Sequence, residues 1–84
     1  REVRRGGEKL YIQAQELKLL EYFMRHPHMT LSREMILQAV WDIDFPVHTN
    51  LVDTHVSRLR ERLGRDAPPL LPTLKGQGYM LKRI

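Results

Sequence analysis

Residues 49–63, TNLVDTHVSRLRERL, constrain the fold of this chain more than any other stretch. At helical spacing, Val52, Val56, Leu59 and Leu63 fall at i, i+4, i+7 and i+11, a narrow apolar stripe on one side. The opposite side carries Leu51, Thr54, Ser57, Arg58 and Glu61. His55 with Arg62 and Asp53 with Arg60 occupy the two flanks between those faces. A helix with so narrow a stripe docks by one edge and shows the rest of itself to the outside. The outward centre holds small or bidentate side chains, and its borders are mostly basic. Two readings fit: an ordinary surface helix with a solvated charged face, or a helix made to enter a DNA major groove. In the second, the centre reads base edges and the flanks reach phosphates.

Charge distribution bears on the choice. The net charge is +4, but residues 1–48 hold seven Lys/Arg against seven Asp/Glu. Residues 49–84 hold seven basic against three acidic residues, so the whole excess lies in the organising helix and the segment C-terminal to it. Together with a pI near 9.9, this suggests an anionic partner such as nucleic acid. The remaining composition bounds the class. Eighty-four residues support one small domain, expected to span 1–84, and 42% hydrophobic with 29% charged residues is ordinary for a soluble globular protein. No apolar run approaches the roughly 18 residues a membrane span needs, and REVRRGGEKL is not a signal peptide. No membrane partner is expected, and a cytoplasmic location is. The absence of cysteine removes disulfides and thiolate metal sites.

The rest of the chain frames that helix. Residues 3–12 read as two short strands around Gly6-Gly7, a hairpin. The abrupt, strand-like start suggests a piece of a longer protein with a partner domain upstream. Residues 14–25 form a helix whose Leu17, Leu19, Leu20, Phe23 and Met24 cover one apolar arc, ended by Pro27. Thr30-Leu31 is an extended link. Ser32 is a plausible N-cap for a second helix from Arg33 to Val40 or Trp41, with Met35, Ile36, Leu37, Ala39 and Val40 as its apolar positions. Trp41 fits a core plug or an indole donor to a phosphate. Residues 42–48, DIDFPVH, form an acidic loop in which Phe45 either packs inward or meets another protein. Asn50 or Thr49 caps the organising helix, and Asp53 suits its positive end. After Gly64 comes the connector RDAPP, then strand-like runs Leu70–Leu74 and Tyr79–Ile84 around Lys75-Gly76-Gln77-Gly78. A ribbon tipped by a lysine can lay a cation into a minor groove or along a phosphate backbone. The order of elements predicts an α+β winged helix-turn-helix: an N-terminal antiparallel sheet, three helices and a C-terminal β-hairpin wing.

QELKLLEYFMRHP, LSREMILQAVW, TNLVDTHVSRLRERL and TLKGQGYML, in this order and at these gaps, resemble the C-terminal effector domain of OmpR/PhoB-type response regulators. The resemblance covers essentially the whole chain. It implies a four-stranded N-terminal sheet, three helices and a wing, and an upstream receiver domain with its sensor kinase. It also implies double-stranded DNA as partner, in direct repeats occupied by a second copy, and RNA polymerase. Carried over by position, Leu51, Thr54 and Arg58 match base-contacting sites, and Lys75 matches the wing residue that enters the minor groove. Trp41, Asn50, His55, Ser57, Arg60, Thr73 and Tyr79 match backbone-contacting sites, and Arg62 extends the same basic flank. Asp42, Asp44, Phe45 and His48 lie in the loop that can touch RNA polymerase.

Departures are visible too. Lys75 stands where arginine is usual, Ser57 and Asn50 where relatives often place arginine, Gln13 where the first helix commonly has a threonine cap, and Pro72 in the first wing strand. An enzyme reading finds no cysteine nucleophile, no Gly-rich phosphate loop followed by a helix and no pair of carboxylates with a partner. His26, His28, His48 and His55 lack a converging ligand set, so neither metal nor cofactor is expected. A winged helix that docks protein instead of DNA would place a large apolar anchor where Thr54 and Arg58 stand; Leu51 fits either reading. Related domains fused to membrane segments instead of receivers would differ only upstream of Arg1.

Overall fold

Gly6 and Gly7, at φ 60° and 82°, reverse the chain between β1 (Val3–Arg5) and β2 (Glu8–Leu10), which pair antiparallel with Val3 opposite Leu10. The structure, a computed structural model, describes residues 3–45, 47–64 and 70–82. The hairpin is where the sequence predicts it. The four-stranded sheet implied by the resemblance is here two strands among the described residues, because residues 3–12 have room for no more. Arg5 ties this hairpin to the rest of the domain: its guanidinium donates to the Leu63 carbonyl, one of the acceptors left open at a helix C-terminus.

α1 (Ala14–Arg25) has Gln13 at its N-cap with no side-chain cap bond, and it stops at His26 ahead of Pro27. Its buried face consists of Glu16, Leu19, Leu20 and Phe23. That face is rotated from the predicted arc, so Met24 falls at its edge and is 44% exposed. α2 (Arg33–Trp41) begins on Ser32, whose hydroxyl accepts the Met35 N–H at 3.1 Å. It buries Ile36 and Leu37, with Val40 half-buried. Met35 and Ala39 point away from that stripe and are exposed, contrary to expectation. Asp42, in the left-handed conformation at φ 58°, closes the helix: the N–H groups of Asp42 and Ile43 bond the carbonyls of Gln38 and Leu37, each at 3.1 Å.

α3 (Leu51–Leu63) is the organising helix, and all four stripe residues, Val52, Val56, Leu59 and Leu63, are buried. Of the two predicted caps, Thr49 supplies the bond, accepting the Leu51 N–H at 3.1 Å; the Asn50 side chain makes no cap bond. α3 packs across α1 and α2, and the core between them joins Leu19, Phe23, Ile36, Val56 and Leu59 to Leu31 and Leu81.

The wing strands β3 (Thr73–Leu74) and β4 (Gly78–Tyr79) are shorter than the predicted runs. Pro72 has no N–H to give, so beyond Thr73 the bonds among the described residues run into the first strand. The Met80 N–H reaches the Pro72 carbonyl at 3.3 Å and the Lys82 N–H reaches Leu70 at 3.0 Å. On its other edge Tyr79 exchanges two bonds with Leu31, at 2.8 and 3.0 Å, so the Thr30-Leu31 link joins this two-stranded sheet through a single antiparallel bridge. Gly78 makes the approach possible. At φ 141° it lies so near the Leu31–Ser32 backbone that a Cβ would stand 2.8 Å from the Leu31 carbonyl carbon and 2.9 Å from Ser32 Cα. The connector at 65–69, and 83–84 of the second predicted strand, lie outside the described residues.

Candidate nucleic-acid interface

The apolar stripe of α3 fixes what it shows outward. Ser57, Arg58, Glu61 and Arg62 are exposed, and Leu51 and Thr54 are half-buried. Arg58 and Arg62 make no hydrogen bond or ion pair among the described residues, so both guanidiniums are available to a ligand. Asn50 is exposed at the head of the helix.

The flank carrying Asp53 and Arg60 is already engaged. Arg33 at the start of α2 donates from Nε to Asp53 Oδ1 at 2.9 Å, its Nη2 forms an ion pair with that oxygen at 2.7 Å, and the Tyr79 hydroxyl donates to the same oxygen. Arg60 donates from Nε to the Leu71 carbonyl at 2.8 Å and from Nη2 to Thr73 Oγ1 at 2.7 Å. Both guanidiniums lie against the Tyr79 ring, 5.2 Å (Arg33) and 5.3 Å (Arg60) from its centroid. The Arg33 bond holds the Asp53 carboxyl below the usual carboxylate range, helped by the Tyr79 hydroxyl. Burial pushes the Tyr79 phenol up, and the Asp53 carboxylate adds to it. These bonds hold α3, α2 and the wing together around one buried ring.

The flank carrying His55 turns to α1. Its Nδ1 is hydrogen-bonded to Glu16 Oε2, and Glu16 is the one charged residue among the buried set of the described residues. The Trp41 ring stands 5.1 Å from the imidazole, tilted by 58°, so Trp41 is at once partly packed on the core and adjacent to the outward face. At the wing tip Lys75 is exposed, in a turn closed by the Gln77 N–H on the Leu74 carbonyl at 2.9 Å. Thr73 is exposed, while Tyr79 is only 4% exposed. In the loop after α2, Asp42, Asp44 and His48 are exposed. Phe45 does not pack inward: it is 62% exposed and, with Met35, Ile43 and Val47, borders a shallow groove.

Residues 7–81 match the family of C-terminal domains of transcriptional regulatory proteins. The chain belongs to this family. Along 82 residues it is 42% identical to the transcriptional regulatory protein TrcR of Mycobacterium tuberculosis, covering 98% of this chain and 32% of TrcR. It is 41% identical to CusR of Escherichia coli over 83 residues, covering 98% of this chain and 37% of CusR. The chain thus spans about a third of the length of these relatives. Its fold superimposes on the DNA-binding domain of Klebsiella pneumoniae RstA, solved in complex with RstA box, at a TM-score of 0.90 and 25% identity over 98% of this chain and 83% of that one. On the DNA-binding domain of E. coli CpxR the TM-score is 0.83 at 30% identity, covering 96% and 81%. The architecture is that of winged-helix effector domains of OmpR/PhoB-type response regulators.

Against the contacts this family leads one to expect, α3 brings Thr54, Ser57, Arg58 and Arg62 to one outward surface, with the wing beside the Arg60 flank. It turns Arg60, Tyr79 and the Nδ1 of His55 toward the protein's own groups. Residue-by-residue reading missed Arg33, Leu31 and Glu16. Arg33 and Leu31 carry no local signal, because their partners are some twenty to fifty positions away. Glu16 did carry one: at helical spacing it falls in the middle of the Leu19, Leu20 and Phe23 face, where a lone carboxylate needs a partner. Among the described residues no cluster of three His, Cys, Asp or Glu is placed to hold a metal ion, and no helix is long and apolar enough to cross a membrane.

Proposed function

We propose that the domain binds double-stranded DNA sequence-specifically, as the output module of a two-component response regulator. α3 lies in the major groove and the turn at Lys75 meets the minor groove. The observation that carries this reading is the state of the cations on α3: Arg58, at the centre of the outward face, makes no bond among the described residues, while Arg60 on the flank is used to hold the wing. Arg58 offers a bidentate guanidinium, most naturally to guanine O6 and N7, and Thr54 and Leu51 offer methyl groups to thymine. Arg62, Ser57, Asn50, Trp41 and Thr73 contact phosphates. Arg60, His55 and Tyr79 contribute to the backbone contacts mainly by setting where α3 and the wing stand.

A domain of this size covers a short half-site, so tight binding takes a second copy on a direct repeat. The exposed Phe45, with Met35, Ile43 and Val47 beside Asp42, Asp44 and His48, forms an apolar patch with an acidic border suited to RNA polymerase. A receiver domain upstream, addressed by a sensor kinase in the cytoplasm, completes the protein. The test is binding to a randomised duplex pool across a salt series, with the bound fraction sequenced. Steep salt dependence with an enriched, repeated motif is expected. Salt-sensitive binding without enrichment contradicts sequence-specific reading, and no binding at low salt contradicts DNA as the ligand.

A further inference from the structure

We propose that Asp53, held by Arg33, is a positioning residue that sets the angle between α3 and the wing. That angle in turn sets the separation along a duplex at which the domain reads a major-groove base and a narrow minor groove. The inference rests on the DNA-binding reading of α3 and adds to it a determinant of specificity that contacts no base. The wing has little direction of its own. Its strands pair through two residues each, Thr73 with Tyr79 and Leu74 with Gly78, and a two-stranded hairpin is marginal in isolation. The single bridge to Leu31 fixes a point on β4 but lets the hairpin turn about it. What directs the wing is α3, through two attachments.

Those attachments, Asp53 and Arg60, lie seven positions apart. Two helical turns separate them, which puts them on one side of α3 and about 10.5 Å from each other along its axis. At Arg60 the guanidinium holds the first strand, donating to the Leu71 carbonyl and to Thr73 Oγ1. At Asp53 the carboxylate accepts from the Tyr79 hydroxyl of the second strand. Two points fix an angle where one would leave a pivot. The second point is only as firm as the carboxylate, and Arg33 supplies that firmness from α2. Its Nε bonds Oδ1 at 2.9 Å, and its Nη2 lies 2.7 Å from that oxygen and 3.4 Å from the Tyr79 hydroxyl. The side chains of Arg33 and Asp53 are 40% and 38% exposed, so water screens their attraction and the pair adds only modest stability. Geometry is the larger effect. Lys75 stands two residues beyond Thr73, about 7 Å along the strand. A pivot of roughly 30° would carry it about 3.4 Å, one base-pair step. Arg58, five positions after Asp53 on α3, would not move with it.

The experiment is selection on a randomised duplex pool, with the bound fraction sequenced, for the unmodified 84-residue domain and for Asp53→Ala, Asp53→Asn and Arg33→Ala. The quantity read is a separation within one half-site. It runs from the base pair whose preference Arg58→Ala relaxes to the narrow-groove steps whose preference Lys75→Ala relaxes. In the unmodified domain one separation dominates its neighbours by on the order of tenfold, the worth of one mismatched position. Asp53→Ala spreads the separation over adjacent steps and keeps the guanine preference. It binds random duplex no more weakly, since an anion has left the surface. Arg33→Ala spreads the separation in the same way. Asp53→Asn, which keeps an accepting oxygen, restores part of the sharpness. A role confined to stability lowers the melting temperature of these variants and weakens every duplex alike with the distribution unmoved; that outcome overturns the proposal. So does an Arg33→Ala domain whose only change is a salt slope lower by about one, the mark of a direct phosphate contact. A broad distribution in the unmodified domain, with the guanine preference intact, overturns it without any variant having to fold. Absence of an enriched motif overturns the DNA reading, and this inference with it.

Discussion

Replacing Gly78 with alanine tests whether the wing is seated by the backbone approach between Tyr79 and Leu31. The new Cβ would stand 2.8 Å from the Leu31 carbonyl carbon and 2.9 Å from Ser32 Cα, closer still to the Leu31 carbonyl oxygen. Backbone on both sides leaves no flexible side chain to yield, so the strand must move off Leu31. Its departure breaks the two bonds at 2.8 and 3.0 Å, worth about 1 kcal/mol each in net stability. Alanine at φ 141° adds backbone strain of about 1–3 kcal/mol. The sum is about 3–5 kcal/mol. A domain of this length is stable by only about 4–13 kcal/mol, so the change removes a large part of the total. In urea, with a slope of about 1 kcal/mol per molar, the unfolding midpoint falls by about 3 M or the domain is unfolded outright. Gly76→Ala is the control. Gly76 has φ 75° but nothing within 4 Å of its would-be Cβ, so strain alone remains, about 1–2 kcal/mol. If Gly78→Ala is no more destabilising than Gly76→Ala, the close approach is not what seats the wing.

Other outcomes rest on the same geometry. Arg58→Ala costs about 1–3 kcal/mol of specific binding and relaxes preference at one base pair, read by selection from a randomised pool, while leaving the melting temperature unchanged. Lys75→Ala reduces the salt slope by about one and weakens binding most at sites with a narrow minor groove, again without loss of stability. Arg60→Ala behaves differently from both: freed of its bonds to Leu71 and Thr73, the wing loosens, so thermal stability and binding fall together. The pH dependence of stability has two edges. Asp53 titrates below its unfolded value, so its contribution is complete above about pH 4 and is lost as the pH falls through the lower folded value. Tyr79 titrates above its unfolded value, so its contribution holds below about pH 10 and is lost as the pH rises through the higher folded value. Thermal melts of Tyr79→Phe should lose the alkaline edge and keep a weakened acid one.

Legibility in the sequence has a physical boundary. The helices and their docking stripe could be read because period, caps and breakers are local: Ser32, Pro27 and Gly64 mark ends within a residue or two, and all four predicted stripe residues of α3 are buried. The rotation of a helix about its axis was less legible. Met24, Met35 and Ala39 are apolar and lie beside buried positions, and only the packing of neighbouring helices decides which of them face solvent. Thr30-Leu31 could be read as extended, but its pairing could not, since a single bridge partnered by Tyr79 leaves no alternation to detect. The outward face of α3 was legible in its residue types. The allegiance of its flanks was not, because an arginine that reads a phosphate and one that holds a wing look alike in one dimension.

Those flanks explain why two carboxylates lie beneath a surface meant for a polyanion. Asp53 and Glu16 each oppose the arrival of DNA, and a face built only for attraction would omit them. Their partners are on different elements, Arg33 of α2 with Tyr79 of the wing on one side and α1 on the other, so the pair resists rotation of α3 in both directions. A base-reading guanidinium must arrive coplanar with its edge, whereas a phosphate contact tolerates a looser cation. Orientation is therefore worth more at Arg58 than one additional positive charge nearby. The proposed reading therefore leaves α3 of a single copy with few cations for the backbone among the described residues, Arg62 chief among them, and correspondingly modest affinity is expected of it. On the proposed reading, such a domain would gain tightness by pairing along the duplex, where a second copy doubles the phosphate contacts without disturbing the orientation of the first.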